Sequence, residues 1–358
     1  MFKLEARPEP SRLMSVLSPV FAVAITLLVG VALFSVLGKS PVDGLRVFFV
    51  EPVKNAYALS ELAVKATPLV LIALGLAVCF RSNIWNIGAE GQFILGAVFG
   101  GGVAIHCTET TSRFVVVLVL FAGMLGGMVW AGIVAVLRDR FHTSEILVSL
   151  MLVYVADMLL SYLVYGPWKD PDGYNFPQSI TFAASTHVPK LVTGYRTDVG
   201  VLIALGLVGV FWVFVFRTYA GFQLQVGGLA PAAARYAGFS SRRALWTALL
   251  ISGAMAGLAG ALEVAGPLNQ LTPYVPAGYG FAAIIVAFVG RLHPVGIVLS
   301  ALLMSMFYIG GELAQSRLGL PKSVTGVFQG LLLFALLACD TLITYRVRST
   351  RTRAASAP

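Results

Sequence analysis

Asn86–Gln92 reads NIGAEGQ, a carboxylate, two amides and two glycines set between FRSNIW (residues 80–85) and FILGAVFGGGVAI (residues 93–105). Gly88 and Gly91 permit a tight turn or a close backbone approach. Glu90 is costly in hydrocarbon, so it must face protein, water or the headgroup layer. Two readings follow from the residues. The stretch is either the mouth of a broken helix, its polar groups bonding a solute or bracing a gate, or an interfacial turn.

The surroundings explain why a single glutamate matters. The chain has 358 residues, 58% hydrophobic and 11% charged, with a mean hydropathy of +0.86. Soluble domains carry about a quarter charged residues, so this is a polytopic membrane protein. Its net charge of +9 is assigned to residues that flank spans, and no basic-aromatic patch points to nucleic acid. The cysteines (Cys79, Cys107, Cys339) and histidines (His106, His142, His187, His293) are scattered, without disulfide or metal spacing. Leu13–Leu37 holds 25 residues without a charge, longer than a signal-peptide core, and reads as a retained first span.

Ten apolar runs recur: Leu13–Leu37, Leu62–Phe80, Ile87–Ile105, Phe114–Leu137, Ile146–Tyr165, Val199–Phe216, Ala244–Ala265, Phe281–Gly290, Pro294–Gly311 and Ser323–Ala338. A crossing helix needs roughly 20 residues. Phe281–Gly290 is short and Ile87–Ile105 is crowded with glycine. These are the third and eighth of ten, counterparts in two inverted five-helix halves, and GQFILGAVFG from Gly91 echoes GFAAIIVAFVG from Gly280. Such a pair points to a transport site. The fold class is therefore all-α, with about ten transmembrane helices in two inverted repeats. Lys and Arg bias, with Arg7, Arg81, Arg138, Arg217, Arg243, Arg351 and Arg353 on one side and Lys39, Lys65, Lys169 and Lys322 on the other, puts both termini in the cytoplasm. One permease domain, 1–358, is expected, with cytoplasmic ends 1–12 and 345–358, an external loop 166–198 and a cytoplasmic loop 218–243.

Beyond Asn86, Glu90, Gln92 and Phe93, the candidate pathway residues are Asn269, Tyr279 and Phe281, in or after the irregular stretch AGPLNQLTPYVPAGYG, residues 265–280. Irregular backbone at membrane depth is tolerated where it is buried in protein or lines a cavity; an ordinary outer loop is the alternative. Glu263 ends the seventh span just before that stretch, and Asp157 and Glu312 are further acids in or at the edge of spans, read as structurally paired. The small-residue spacings Gly96/Gly100, Gly123/Gly127/Ala131 and Gly253/Gly257/Ala261 let helices pack closely. LGKS at Leu37–Ser40 has Leu33 where a phosphate-binding loop needs glycine, so a nucleotide site is not expected here. Within the cytoplasmic loop, Pro231, Ala232, Ala233, Arg235, Tyr236 and Gly238 form a short helix bounded by glycines, either a linker or a docking lever.

NIWNIGAEGQFILGA resembles the signature of permease subunits of ATP-binding cassette (ABC) importers, in the branch of simple-sugar, branched-chain amino-acid and nucleoside permeases. The NIGAEGQ form looks most like nucleoside systems served by a basic-membrane-protein-type lipoprotein. TSEILVSLMLVY, GLAPAAARYAGF and GYGFAAIIVAFVGRLHPVG follow in the expected order, from about Leu62 to Leu337. The resemblance implies a type II ABC importer-like fold in the bacterial inner membrane. It also implies a second permease subunit, a paralogue in a heterodimer, and an external solute-binding protein or lipoprotein. ATP and Mg would belong to two cytosolic ATPases, with no cofactor, metal or catalytic residue on this chain, and Pro231–Gly238 would be the coupling helix. There are departures. Ala230 stands where the family often has Asn, and Ala282 and Ala283 follow Phe281 where a polar residue and Gly are common. The expected function is alternating-access uptake of nucleosides or related small polar solutes. The alternatives are a simple-sugar or other small-solute permease, or an ion-coupled transporter using Asp157, Glu263 or Glu312. A membrane-embedded enzyme lacks any suitable cluster of side chains.

Overall fold

The computed structural model describes residues 2–6, 12–109, 112–321 and 323–349. Arg7, Lys322, Arg351 and Arg353, counted above for orientation, lie outside them. The long helices are α1 (Arg12–Val36), α3 (Ala56–Arg81), α5 (Val115–Phe141), α6 (Glu145–Tyr165), α7 (Gly200–Arg217), α10 (Ser241–Glu263), α12 (Pro294–Leu318) and α13 (Ser323–Thr344). Each is long and apolar enough to cross a membrane. Two more apolar helices, α4 (Ala89–Ile105) and α11 (Tyr279–Val289), are shorter. These ten elements coincide with the ten apolar runs. Three small helices complete the set: α2 (Pro41–Leu45), α8 (Tyr219–Leu229) and α9 (Pro231–Tyr236). Of these, α2 and α8 were not anticipated, because loops were expected there.

A second addition is a two-stranded antiparallel ribbon, β1 (Phe2–Ala6) with β2 (Tyr345–Ser349), Phe2 opposite Ser349 and Ala6 opposite Tyr345. Both segments alternate apolar and polar residues, the period of a strand, but at five residues each they are too short to stand out by pattern alone.

The chain forms two compact units, residues 1–52 with 307–358, and residues 53–306. In the first, α1 packs on α13 around a cluster of rings: Phe34 and Phe48 lie 5.7 Å apart and Phe48 and Phe328 4.8 Å apart.

In the second, α3 and α10 are central. In the most apolar window of each helix, 89% of α3 and 83% of α10 is buried, against 22% for α6 and α7. A helix apolar on all sides belongs in the interior of a bundle. Three helices meet through glycine. A Cβ on Gly127 would stand 2.8 Å from the Gly257 Cα, one on Gly253 2.6 Å from the Ala131 Cβ, and one on Gly100 3.0 Å from the Ala261 Cβ. All three small-residue spacings thus face one another along a seam between α4, α5 and α10. The backbones touch, and lipid cannot supply the hydrophobic drive that would otherwise hold them.

The seam predicts a sharp contrast between glycines. Gly257→Val overpacks backbone against backbone and should cost about 1–3 kcal/mol or more. Gly132 in α5 has open space around it, so Gly132→Ala should be neutral or gain up to about 1 kcal/mol of helix propensity. Thermal melting of the detergent-purified complex checks both. Equal melting of the two variants would mean that the seam contributes nothing.

Candidate functional site

The junction is built from residue 82 onward. After α3 ends at Arg81 the chain runs without regular structure to Gly88. Trp85 stacks on Phe288 of α11, with centroids 6.0 Å apart, and Phe80 lies 4.9 Å from the same ring. Asn86 is fully buried. Its amide nitrogen donates to Gln92 Oε1 and to Ser252 Oγ on α10, both at 2.9 Å. Its Oδ1 accepts from Gln92 Nε2 and from the Gly88 N–H, both at 3.1 Å. The two amides therefore satisfy each other, and the bond to Gly88 closes an Asx turn that aims the chain into α4.

Glu90, 2% exposed, occupies the first turn of α4. Its Oε1 accepts the Gly278 N–H at 2.8 Å and its Oε2 accepts the Gly280 N–H. Those donors belong to the start of α11. A helix begins with N–H groups that lack intrahelical partners, and both helices point their positive ends at this carboxylate. The glycines are required on steric grounds. Gly278 holds φ +78°, and a Cβ on Gly280 would fall on the backbone of Ala89 and Glu90. So α4 and α11 meet N-terminus to N-terminus. From there α4 leads towards Leu271 and Trp168, against which Gly101 and Gly102 pack. The other helix leads towards Arg81, which bonds the Leu292 carbonyl. At 17 and 11 residues they span about 25 and 16 Å, and neither is a full crossing of a core about 30 Å thick.

Phe93 and Tyr279 pack edge to face across the same junction, 5.8 Å apart at 73°, with Lys65 Nζ 5.9 Å from the tyrosine ring. Of the seven expected pathway residues, Asn86, Glu90, Gln92, Phe93 and Tyr279 are thus drawn together and sealed from solvent. Phe281 is 40% exposed. Asn269 stands apart, in the left-handed region (φ 55°) at the end of a π-helical turn, Val264–Leu268, that extends α10. Its carbonyl accepts the Phe182 N–H at 2.9 Å. The loop 166–198 is sewn to this irregular segment at two more points: Ser179 N–H donates to the Leu271 carbonyl, and Val188 N–H to that of Ala265, each at 2.9 Å.

The expected short helix is α9. Pro231 opens it, Ala230 supplies no side-chain cap, and Gly238 follows at φ +78°. Only Ala234 is buried, and Tyr236 is 97% exposed. A cleft of about 500 Å3 beside it is lined by residues that include Ser82, Arg138, Asp139, Arg235 and Arg242. Two of its cations are held, Arg138 by Glu145 at 3.1 Å and Arg242 by Asp139 at 2.7 Å.

Sequence alone gives Arg81 no role beyond that of an orientation charge. In the structure it binds three elements. Nε and one terminal nitrogen donate to the Leu292 carbonyl just beyond α11, at 3.1 and 2.9 Å. The other terminal nitrogen reaches Gln225 Oε1 of α8 at 3.5 Å, and the guanidinium lies 5.0 Å from the Phe216 ring of α7. A cation at the negative end of α11 is favourably placed. An arginine directly after an apolar span is the signal the sequence offers. Its partners, Gln225 and Leu292, lie too far along the chain to be read.

The comparisons with known proteins agree with this architecture. The family model described as branched-chain amino acid transport system / permease component matches residues 58–337. A glucose ABC transporter permease protein of Haloferax volcanii is 34% identical over 340 residues, 92% of this chain and 89% of the relative. A guanosine ABC transporter permease protein of Bacillus subtilis is 30% identical over 88% of this chain and 91% of its own. A nucleoside ABC transporter permease protein of Lactococcus lactis is 26% identical over 89% and 90%. Each of these organisms also has a second, more weakly matching permease whose name carries the same solute. ABC permease subunits are not themselves enzymes, and ATP hydrolysis lies on separate subunits. With its ten apolar helices and a family match across most of its length, this chain belongs to the branched-chain amino acid transport system / permease component family of ABC transporters.

Proposed function

We propose that this chain is one of two membrane subunits of an ATP-driven importer that carries nucleosides by alternating access. The junction of α4 and α11 is the observation that carries the reading: two half-helices in matching places of an ABC permease, locked together by one carboxylate. In this reading Asn86, Glu90, Gln92, Phe93 and Tyr279 brace the gate, while Phe281 and Asn269 border the solute's route. The guanosine and nucleoside relatives support a nucleoside. The glucose relative favours a second reading, a sugar permease. Both kinds of solute present a ring bearing several hydroxyl groups.

The whole chain acts as one permease domain, with both ends cytoplasmic in a bacterial inner membrane. A paralogue completes the pair, in keeping with the two permeases that share a solute name in each of three organisms. Two cytosolic ATPases bind ATP and Mg, and an external binding protein or lipoprotein delivers the solute. Pro231, Ala232, Ala233, Arg235, Tyr236 and Gly238 form the surface pushed by an ATPase. A push on α9 reaches α8 by direct chain connection, then Arg81 through Gln225, then the end of α11 through Leu292, and at last Glu90.

Uptake of labelled guanosine and glucose by the assembled complex tests the solute. Guanosine should accumulate with ATP, unaffected by excess glucose; glucose uptake with guanosine neither carried nor competing overturns the nucleoside reading. Tyr236→Asp and Ala233→Asp, at exposed positions, should assemble normally yet lower the solute carried per ATP at least tenfold. Unchanged stoichiometry would reduce α9 to a linker.

Glu90→Ala strands the buried Gly280 N–H and the part-buried Gly278 N–H, each costing up to roughly 1–3 kcal/mol, so stability should fall by about 2–5 kcal/mol. Glu90→Gln keeps one acceptor oxygen and should lose less. Hydrogen exchange over residues 278–290 should quicken in Glu90→Ala first, and unaltered protection there would rule out the clasp.

A further inference from the structure

Asp157 is the one acid placed deep within a long membrane helix of the larger unit, among the described residues. It is the thirteenth of the 21 residues of α6. At 1.5 Å per residue it lies roughly 18 Å from one helix end and 12 Å from the other, beyond the reach of so short a side chain. Yet it is only half-buried. Among the described residues no side chain or backbone group is within hydrogen-bonding or ion-pairing distance of it. Gly91 of α4 packs against the Val153 backbone one turn before it, and the like charge of Glu90 is close enough to act on it, so it sits near the level at which α4 and α11 meet.

The rest of α6 shows which side Asp157 faces. Ser149, Val153, Ala156, Leu160 and Val164 make the buried stripe. Leu147, Met151, Tyr154, Val155, Met158 and Tyr162 are exposed. Asp157 lies between the stripes, in line with Tyr154 three residues before it and Ser161 four residues after it, positions that share one helix edge. An aromatic hydroxyl, a carboxylate and an aliphatic hydroxyl thus run along the middle of α6, on the edge turned away from its packing against α4 and α5. Lipid cannot be what they face, because a carboxylate at bilayer mid-depth needs water, a polar ligand or an opposite charge.

We propose that Tyr154, Asp157 and Ser161 line the solute route and that Asp157 binds the hydroxyl groups of the passing solute. A carboxylate accepts two hydrogen bonds at once, which suits a pair of neighbouring hydroxyls, and a tyrosine ring beside it offers a flat apolar face. The chemical class is a ring bearing adjacent hydroxyls, common to nucleosides and sugars. The inference rests on the permease reading but not on which of those two solutes is carried.

The test uses the complete complex in membrane vesicles, with Cys79, Cys107 and Cys339 changed to alanine and Asp157→Cys introduced. A charged, water-soluble thiosulfonate should modify position 157, and turnover with binding protein, ATP and guanosine should slow that modification at least fivefold. Protection by glucose instead supports the inference while overturning the nucleoside reading. Reaction only with a lipid-soluble maleimide, or reaction that neither solute slows, overturns the inference. In parallel, Asp157→Asn, which still bonds hydroxyls, should keep at least a third of maximal uptake, and Asp157→Leu should lose at least tenfold while basal ATP hydrolysis persists. Full uptake by Asp157→Leu, or its failure to assemble with the second permease, assigns Asp157 elsewhere and refutes the proposal.

Discussion

A helix that starts inside a membrane begins with N–H groups that its own turns cannot satisfy, and hydrocarbon offers them nothing. Everything around the junction follows from that constraint. Glu90 takes two of those donors with one carboxylate, and the start of its own helix adds a second positive end. A buried carboxylate without such partners is costly, and so is a buried helix end without an anion. Together each removes the other's penalty. The glycines at 278 and 280 are what allow the approach, one through its left-handed backbone and the other through its lack of a Cβ.

The same unit combines a seam with a hinge. Along α4, α5 and α10 the glycines bring backbone onto backbone, leaving no room for a side chain to change rotamer. Packing of that kind transmits displacement rather than absorbing it. At each end of α11 a polar link is backed by rings: Glu90 with Phe93 on Tyr279 at one end, and Arg81 on the Leu292 carbonyl with Phe80 and Trp85 on Phe288 at the other. Most of α11 is buried, so a shift of this helix must carry its packed neighbours with it, and the polar links at its ends set where such a shift begins.

Much of the fold was legible in the sequence because hydrocarbon imposes length. Ten apolar runs became ten helices, and the two flagged as short or rich in glycine became the two half-helices. The Gly-x-x-x-Gly spacings became a seam because small residues four apart share a helix face, and the Pro/Ala segment after Ala230 became α9. The partners were not legible. Nothing near Glu90 shows that its acceptors serve Gly278 and Gly280, because that contact joins residues about two hundred positions apart through the tertiary fold. Nor do Asn86 and Gln92 reveal that their amides bond each other, which turns two apparent solute ligands into a structural pair. Arg81 was counted as a charge because positive-inside reasoning weighs only which side a cation occupies, and its planar fork matters only once Leu292 and Gln225 are in place.

Burial therefore sorts the polar groups of this membrane unit by role. Asn86, Glu90 and Gln92 are enclosed, and hydrogen bonds account for both oxygens of the carboxylate and every polar atom of the two amides. Groups so fully engaged cannot also hold a passing solute without first letting go of one another. Asp157 is the opposite case, half-buried and without such bonds among the described residues. Low dielectric makes a satisfied network rigid and leaves an unsatisfied group available for a ligand. A carrier needs both kinds of group, the first to hold a shape between cycles and the second to be filled and emptied within one. The stretch Asn86–Gln92 belongs to the first kind, which is why so polar a sequence lies where no water reaches it.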